Sequence, residues 1–318
     1  MDQTSIMTSA GQDDSVEYLL LCAFHKAKNK ITEETIMKQQ LLQTNKVDIN
    51  TESFGNPSDP AVLLIMGAMS SLDWWDSEFC ERLAAAGRYV IRYDHRDLGQ
   101  SVVYEPGTSN YTITDLADDA FGILDAYSIE KVNIMGMSLG GMIGQIMAIK
   151  HPERVLSLTI LGSSVFGSEQ AELPQMDQKI LDFHGKSASI DWSDQEASVA
   201  YLAEGWAVLS GSKPFEKERM YALAEREYTR AKQIQSRFNY MYLGGGEEYL
   251  DRMSEIGVPT IILHGNEDPA LPFEHGQALA RAIPHAELIT LEGSGHELHT
   301  DDWQIIIEAI VRNSSVGK

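Results

Sequence analysis

The stretch from Lys131 to Gly144 constrains this chain more than any other. An apolar run, Val132 to Met135, ends in Gly136-Met137-Ser138-Leu139-Gly140 and leads straight into a helix-like segment. A strand that turns this sharply into a helix leaves no room for side chains two residues either side of the turn, so glycine stands at both places. The residue at the apex sits in a strained conformation and projects above the sheet. Here that residue is Ser138, with a helix N-terminus beneath it to favour developing negative charge.

From residue 43 onward, short apolar runs alternate with helical stretches. Strands are expected at 47–53, 61–66, 89–93, 132–135, 156–161, 260–264 and 287–291. Helices are expected at 76–86, 113–127, 139–150, 273–282 and 301–311. This alternation implies an α/β fold with a mostly parallel sheet covered by helices on both faces. The rhythm breaks between about 166 and 248, where the pattern is helical and aromatic, and Gly244-Gly245-Gly246 returns the chain to the sheet. That segment reads as an inserted helical cap. Its aromatics are expected mostly to fill the cap's own core, with a few, such as Trp206 and Tyr242, facing a substrate chamber.

Four segments follow: an appendage at 1–42, the first part of the core at 43–165, the cap at 166–248, and the rest of the core at 249–318. In the appendage, Asp14 and Glu17 form a capping-box-like pattern ahead of one apolar helical face. A second helix is expected from about Thr32 to Leu42. Met37 stands just before the first strand-like segment, so the appendage is expected to be dispensable or to reflect a choice of start site. The alternative is a helical pair that docks on another subunit, making a homo-oligomer.

The chain's 318 residues, 43% of them hydrophobic, suffice for one large domain with a smaller insertion. Its net charge of −22 comes from 25 basic and 47 acidic side chains. That field repels nucleic acid and anionic membrane and suits neutral or cationic small molecules. Cys22 and Cys80 have no partner spacing for a disulfide framework or a zinc site, which favours a reducing compartment. The apolar run from Tyr18 to Phe24 is too short to span a bilayer and follows an acidic flank, so a cytoplasmic protein is expected.

A serine hydroxyl is a weak nucleophile unless a base takes its proton and an acid orients that base. On this architecture the partners follow in the order Ser, Asp or Glu, His. The segment His264-Gly265-Asn266-Glu267-Asp268-Pro269 offers the acid in the loop after a buried strand. Asp268 is preferred to Glu267 because Pro269 fixes the turn directly after it. The segment Leu291-Glu292-Gly293-Ser294-Gly295-His296 offers the base after the next strand. His299 is its main competitor, and a surface role suits His299 better; His264 reads as structural. All three groups fall beyond the carboxyl ends of parallel strands, where ligands bind in open α/β sheets. For an oxyanion hole, one donor is expected at the Leu139 N–H and the other in the loop Gly67-Ala68-Met69, with Ala68 the choice.

Asp94, His95 and Asp97 could suggest a metal site. Adjacent residues rarely converge on one ion, so a structural turn is expected, with Asp94 and Arg96 pinning loop backbone. No dinucleotide fingerprint or phosphate-cradling loop is present. Neither metal nor organic cofactor is expected.

With these motifs in place, residues 43–313 resemble an α/β-hydrolase and, within that superfamily, the aclacinomycin methylesterase group. The resemblance rests on Phe54-Gly55-Asn56-Pro57 with Asp59-Pro60-Ala61, on Met66-Gly67 followed by Leu72-Asp73-Trp74, and on Val90 to Asp97 with Gly99 and Ser101. The elbow and the Asp268-Pro269 and Gly295-His296 segments complete it. Many superfamily members carry His-Gly where this chain has Met66-Gly67, and the methylesterase group resembles this chain there. The resemblance implies Ser138, Asp268 and His296 as the triad, with Ala68 and Leu139 as oxyanion donors. The cap matches poorly.

The expected activity is hydrolysis of a carboxylic ester of a small, mainly apolar molecule. On the same triad, a perhydrolase or haloperoxidase-like reaction or hydrolysis of an activated carbon–carbon bond is the enzymatic alternative. A small-molecule receptor with vestigial hydrolysis is the alternative of a different class.

Overall fold

The computed structural model describes residues 37–167 and 172–315. The helical patterns expected near Asp14 and at the start of the Thr32 segment lie outside the described residues. The strands are β1 (Lys38–Thr44), β2 (Val47–Phe54), β3 (Ala61–Ile65), β4 (Tyr89–Tyr93), β5 (Val132–Met137), β6 (Val155–Leu161), β7 (Thr260–Gly265) and β8 (Glu287–Leu291). They form one sheet in the order β1-β2-β4-β3-β5-β6-β7-β8. The pairs β1–β2 and β2–β4 are antiparallel, and every later pair is parallel.

The α-helices are α1 (Ser77–Ala85), α2 (Ile113–Ala126), α3 (Leu139–Lys150), α4 (Gln178–Gly185), α5 (Gln195–Leu209), α6 (Lys217–Arg230), α7 (Glu274–Ala282) and α8 (Trp303–Asn313). Their starts follow from local chemistry. The Asp76 carboxylate accepts the Glu78 N–H at the head of α1, and Thr112 with Asp115 closes a full capping box on α2.

The strand period of two divides the core between the two faces of the sheet. Leu63, Ile65 and Ile91 pack with Leu116 and Ile123 of α2, Ile143 of α3 and Leu279 of α7. Their neighbours Val62, Leu64 and Val90 pack with Phe79 and Leu83 of α1 and Ile306 and Ile310 of α8. Each such side chain, fully buried, contributes roughly 1.5–3 kcal/mol. Helices α4, α5 and α6 are inserted between β6 and β7. Phe183 stacks on Tyr201 at 4.8 Å, and Trp192 meets Tyr201 and Phe238 edge-on, so these aromatics do fill the cap's own core. Tyr242, expected to face a chamber, is instead 74% exposed.

One segment differs from the sequence reading. The expected helix does not extend to Leu42, because Lys38–Thr44 is a strand paired antiparallel with β2. Asn45 and Lys46 both take positive φ, 45° and 65°, between the paired ends Thr44 and Val47. A two-residue turn of this kind matches the twist of a hairpin, and Asn adopts it readily. The Asn45 side chain also donates to Asp119 at 3.0 Å. Pairing with an open sheet edge outweighs a helical pattern of Gln and Leu residues. Among the described residues, no helix is long and apolar enough to cross a membrane. Cys80 is a free buried thiol, and burial pushes its pKa up to about 12.

Candidate active site

Ser138 stands alone between the end of β5 and the start of α3, at φ 52° and ψ −118°. Such a conformation costs a non-glycine residue about 1–3 kcal/mol and persists only where neighbours over-determine it. They do so here. The Ser138 N–H donates to the Leu161 carbonyl at 2.9 Å, and its own carbonyl accepts the Gly141 N–H at 2.9 Å and the Ser163 hydroxyl at 2.7 Å. The flanking glycines answer to backbone. A Cβ on Gly136 would lie 2.2 Å from the Gly140 oxygen, and one on Gly140 would lie 2.0 Å from the Ile65 oxygen.

Asp268 follows β7 and His296 follows β8, and the two side chains meet. His296 Nδ1 and Asp268 Oδ2 are 2.7 Å apart. Asp268 Oδ1 accepts the Ala270 and Leu271 N–H groups, each at 2.8 Å. With Nδ1–H given to the carboxylate, Nε2 is the ring nitrogen left to take a proton. Burial alone would lower the His296 pKa, but the Asp268 charge and hydrogen bond outweigh it and hold the imidazole above its usual value. Burial would likewise raise the Asp268 carboxyl, and the His296 charge and hydrogen bond hold it below the usual range. Glu267, the competing acid, is exposed, and its carboxylate accepts the Ser212 hydroxyl at 2.9 Å.

His264 is structural, as expected: its Nε2–H donates to the Leu271 carbonyl at 2.7 Å. Burial keeps it neutral by lowering its pKa. His299 does not take the surface role expected of it. It is buried, and its two ring nitrogens meet the Pro214 carbonyl and the Asp301 N–H.

Gly162 links the serine to the His–Asp pair, and sequence reasoning missed it. At φ 49°, its Cα faces the pair closely enough that a Cβ there would lie 3.3 Å from His296 Nδ1 and 3.4 Å from Asp268 Oδ2. The residue before it, Leu161, holds the Ser138 N–H. The Ser138 hydroxyl makes no hydrogen bond to His296 in this structure; such contacts often tighten only when substrate binds.

Gly67 packs against Ser138, since a Cβ on Gly67 would lie 3.3 Å from the Ser138 Cβ. This brings the loop after β3, with Ala68, beside the elbow. Leu139 opens α3, where N–H groups lack an intrahelical acceptor. Ala68 is exposed, and Met69 after it takes φ 61°. Behind the loop, the buried His95 places Nε2 3.0 Å from the Met66 carbonyl, and burial lowers its pKa to about 4, so it is a neutral donor.

Asp94, His95 and Asp97 do not converge. Asp94 accepts the Leu72 and Gln100 N–H groups, each at 3.0 Å, and pins loop backbone as expected. Asp97 meets the Tyr104 N–H, the Tyr111 hydroxyl and Asn239. Arg96 departs from expectation: its guanidinium grips the Asp119 carboxylate at 2.6 and 2.8 Å instead of backbone.

Residues 60–302 match the family model for the alpha/beta hydrolase fold. The chain belongs to that family. It is 32% identical over 282 residues to rhodomycin D methylesterase DauP of Streptomyces sp. (strain C5), covering 82% of this chain and 93% of that one. It is 30% identical, with the same coverage, to rhodomycin D methylesterase DnrP of Streptomyces peucetius. The resemblance to the aclacinomycin methylesterase group therefore holds. Among solved structures, the chain is similar to 2-hydroxy-6-oxo-6-phenylhexa-2,4-dienoate hydrolase BphD from Rhodococcus sp. strain RHA1. The TM-score is 0.72 at 19% identity, covering 89% of this chain and 100% of that one. Esterase RhEst1 from Rhodococcus sp. ECU1013 gives 0.71 at 18%, covering 88% and 99%. At these identities the structural likeness speaks for the fold alone.

Proposed function

We propose that this chain is a cofactor-free serine hydrolase that cleaves a carboxylic ester of a small, mainly apolar molecule. The observation that carries the reading is the His296–Asp268 pair, 2.7 Å apart, at the strand ends beside a serine held at φ 52°. In the first half-reaction Ser138 Oγ attacks the ester carbonyl carbon, and its proton passes to His296 Nε2. The oxyanion is met by the N–H groups of Leu139 and Ala68. The tetrahedral intermediate collapses as the carbon–oxygen bond to the alcohol breaks, and His296 returns its proton to that alcohol. Water then attacks the acyl-enzyme by the same route, with His296 as base, and releases the acid and Ser138. Asp268 stays ionised throughout, fixing the imidazole tautomer and stabilising the imidazolium.

The rhodomycin D methylesterases, at 32% and 30% identity, favour a methyl carboxylate as the reacting group.

The test is turnover on a panel of methyl and activated esters, with products identified by mass. Ser138→Ala should abolish turnover, since loss of a triad serine costs roughly six orders of magnitude. A serine-directed phosphonate should label Ser138 alone. Residual activity within about tenfold of the parent, only about 1.4 kcal/mol of barrier, would end the assignment.

A further inference from the structure

The loop that supplies the second oxyanion donor is held from outside itself. His95 takes the Met66 carbonyl from below, and Asp94 takes the Leu72 N–H. Between these two anchors the chain passes through Met69, at φ 61°, in the left-handed region that a long side chain rarely adopts. Two further anchors fall within this strained stretch, and both come from the inserted helical segment. The Arg237 guanidinium donates to the Met69 carbonyl. The Glu227 carboxylate accepts the Ser71 N–H at 2.9 Å with one oxygen and the Trp74 indole N–H at 2.7 Å with the other. Arg237 and Glu227 are themselves 3.5 Å apart, and their side chains are 9% and 2% exposed.

A buried pair of this kind carries a large desolvation penalty, so stability alone is a weak reason for it. A packed apolar pair would hold the cap to the core as well. What an apolar pair could not do is fix a carbonyl and an N–H of a strained loop. Both groups aim at backbone within three residues of Ala68. An oxyanion donor acts only if it is already placed where charge will develop.

We propose that Glu227 and Arg237 are positioning residues: acting from the cap, they set the backbone of residues 68–71 and so the placement of the oxyanion donor. This rests on the serine-hydrolase reading above. Seating of the cap and completion of the oxyanion hole then become one event. Neither residue touches the reacting atoms.

The experiment compares Glu227→Gln, Arg237→Met and Arg237→Lys with the parent, using one ester substrate and a phenylalkyl boronic acid. The boronate adds to a serine hydroxyl and mimics the tetrahedral intermediate. Removing one oxyanion donor costs about 10²–10³-fold, so a misplaced donor should lower kcat by about 10- to 100-fold. KM should stay within about threefold, because ground-state binding uses other surfaces. Boronate affinity should weaken by the same factor as kcat/KM. Arg237→Lys, which retains a donor, should recover part of the loss seen in Arg237→Met.

Folded Glu227→Gln and Arg237→Met proteins with kcat/KM and boronate affinity near the parent's would overturn the proposal. So would a loss confined to KM, or a lowered thermal midpoint with turnover per folded molecule unchanged. Should the first two variants fail to fold, Glu227→Asp, which keeps the charge but draws the carboxylate back from the Ser71 N–H, decides by the same criteria. Ser138→Ala, run in parallel, separates the two readings. If it still turns over, the serine-hydrolase reading fails; if it is dead while the cap variants match the parent, only the positioning role fails.

Discussion

Replacing Ser138 by glycine should make the protein more stable while removing its activity. At φ 52° and ψ −118°, Ser138 occupies a region open essentially to glycine. Holding any Cβ-bearing residue there costs about 1–3 kcal/mol. Glycine escapes that cost, but it loses about 0.5–1 kcal/mol through the greater freedom of the unfolded chain. The informative comparison is therefore Ser138→Gly against Ser138→Ala. Both remove Oγ, so the difference isolates the backbone. The balance predicts glycine more stable by about 0.5–2 kcal/mol, because relief of strain exceeds the entropic loss. For a chain of 318 residues that is a rise of roughly 1–3 °C in Tm. At an ordinary exposed helical position the sign is opposite: Ala85→Gly, near the end of α1, should cost about 0.5–1 kcal/mol. Calorimetry on the three variants reads both differences, and ester turnover confirms that both Ser138 variants are inactive. If Ser138→Gly melted below Ser138→Ala, as Ala85→Gly melts below the parent, the elbow would not be strained. Ser138 would then not be held for chemistry at a cost in stability.

Three further outcomes follow from the same geometry. Gly140→Ala should destabilise by about 1–3 kcal/mol in urea titrations despite a helix-propensity gain near 1 kcal/mol, because the new Cβ meets the Ile65 carbonyl at 2.0 Å; a neutral result contradicts the elbow packing. Because the Asp268 pair holds the His296 pKa up against burial, kcat/KM should rise with pH through a midpoint above the ordinary histidine value of about 6.5. The stability His296 draws from that pair is full below about 6.5 and fades as pH climbs through the raised folded value, while Asp268's share fades in acid. Asp268→Asn should move the kinetic midpoint down and cut turnover by several orders of magnitude, whereas Glu267→Gln, on an exposed side chain, should change turnover less than about threefold; the reverse ranking would reassign the acid.

What could be read from the chain alone was whatever is encoded within a few residues. The elbow is one example, since its two glycines, its strand and its helix lie in one short run. The strands at 89–93 and 287–291 and the helix at 139–150 match the structure residue for residue, because each is a periodic apolar run with clear flanking punctuation. That Asp268 and not Glu267 would point to His296 was also legible, from the proline that shapes the turn. The hairpin at Lys38–Thr44 was not, since its Gln and Leu residues suit a helix equally well. Only the Asn45-Lys46 turn hinted at the strand. Gly162 escaped for a different reason: a lone glycine after a strand is common, and its role beside His296 exists only in three dimensions.

The polar network beneath the cap shows where local reading ends. Glu227 is 156 residues from Ser71, and Arg237 is 168 residues from Met69. On α6, Arg226 and Arg230 both reach Asp73, and Arg230 also reaches Asp94 at 2.8 Å. Along the sequence these side chains form the charged face of a helix, a pattern that ordinarily means a solvated surface. Here Asp73, Asp94 and Glu227 are each fully buried. A carboxylate buried so deeply must be paired or neutralised, and each of these is paired with an arginine from the inserted segment. The segment thus does more than cover the site. It neutralises charges that the core buries along the two loops after β3 and β4, and the first of those loops carries Ala68. A different cap could be grafted here only if it returned cations to the same places, which would tie the proposed substrate chamber to the integrity of the proposed oxyanion loop.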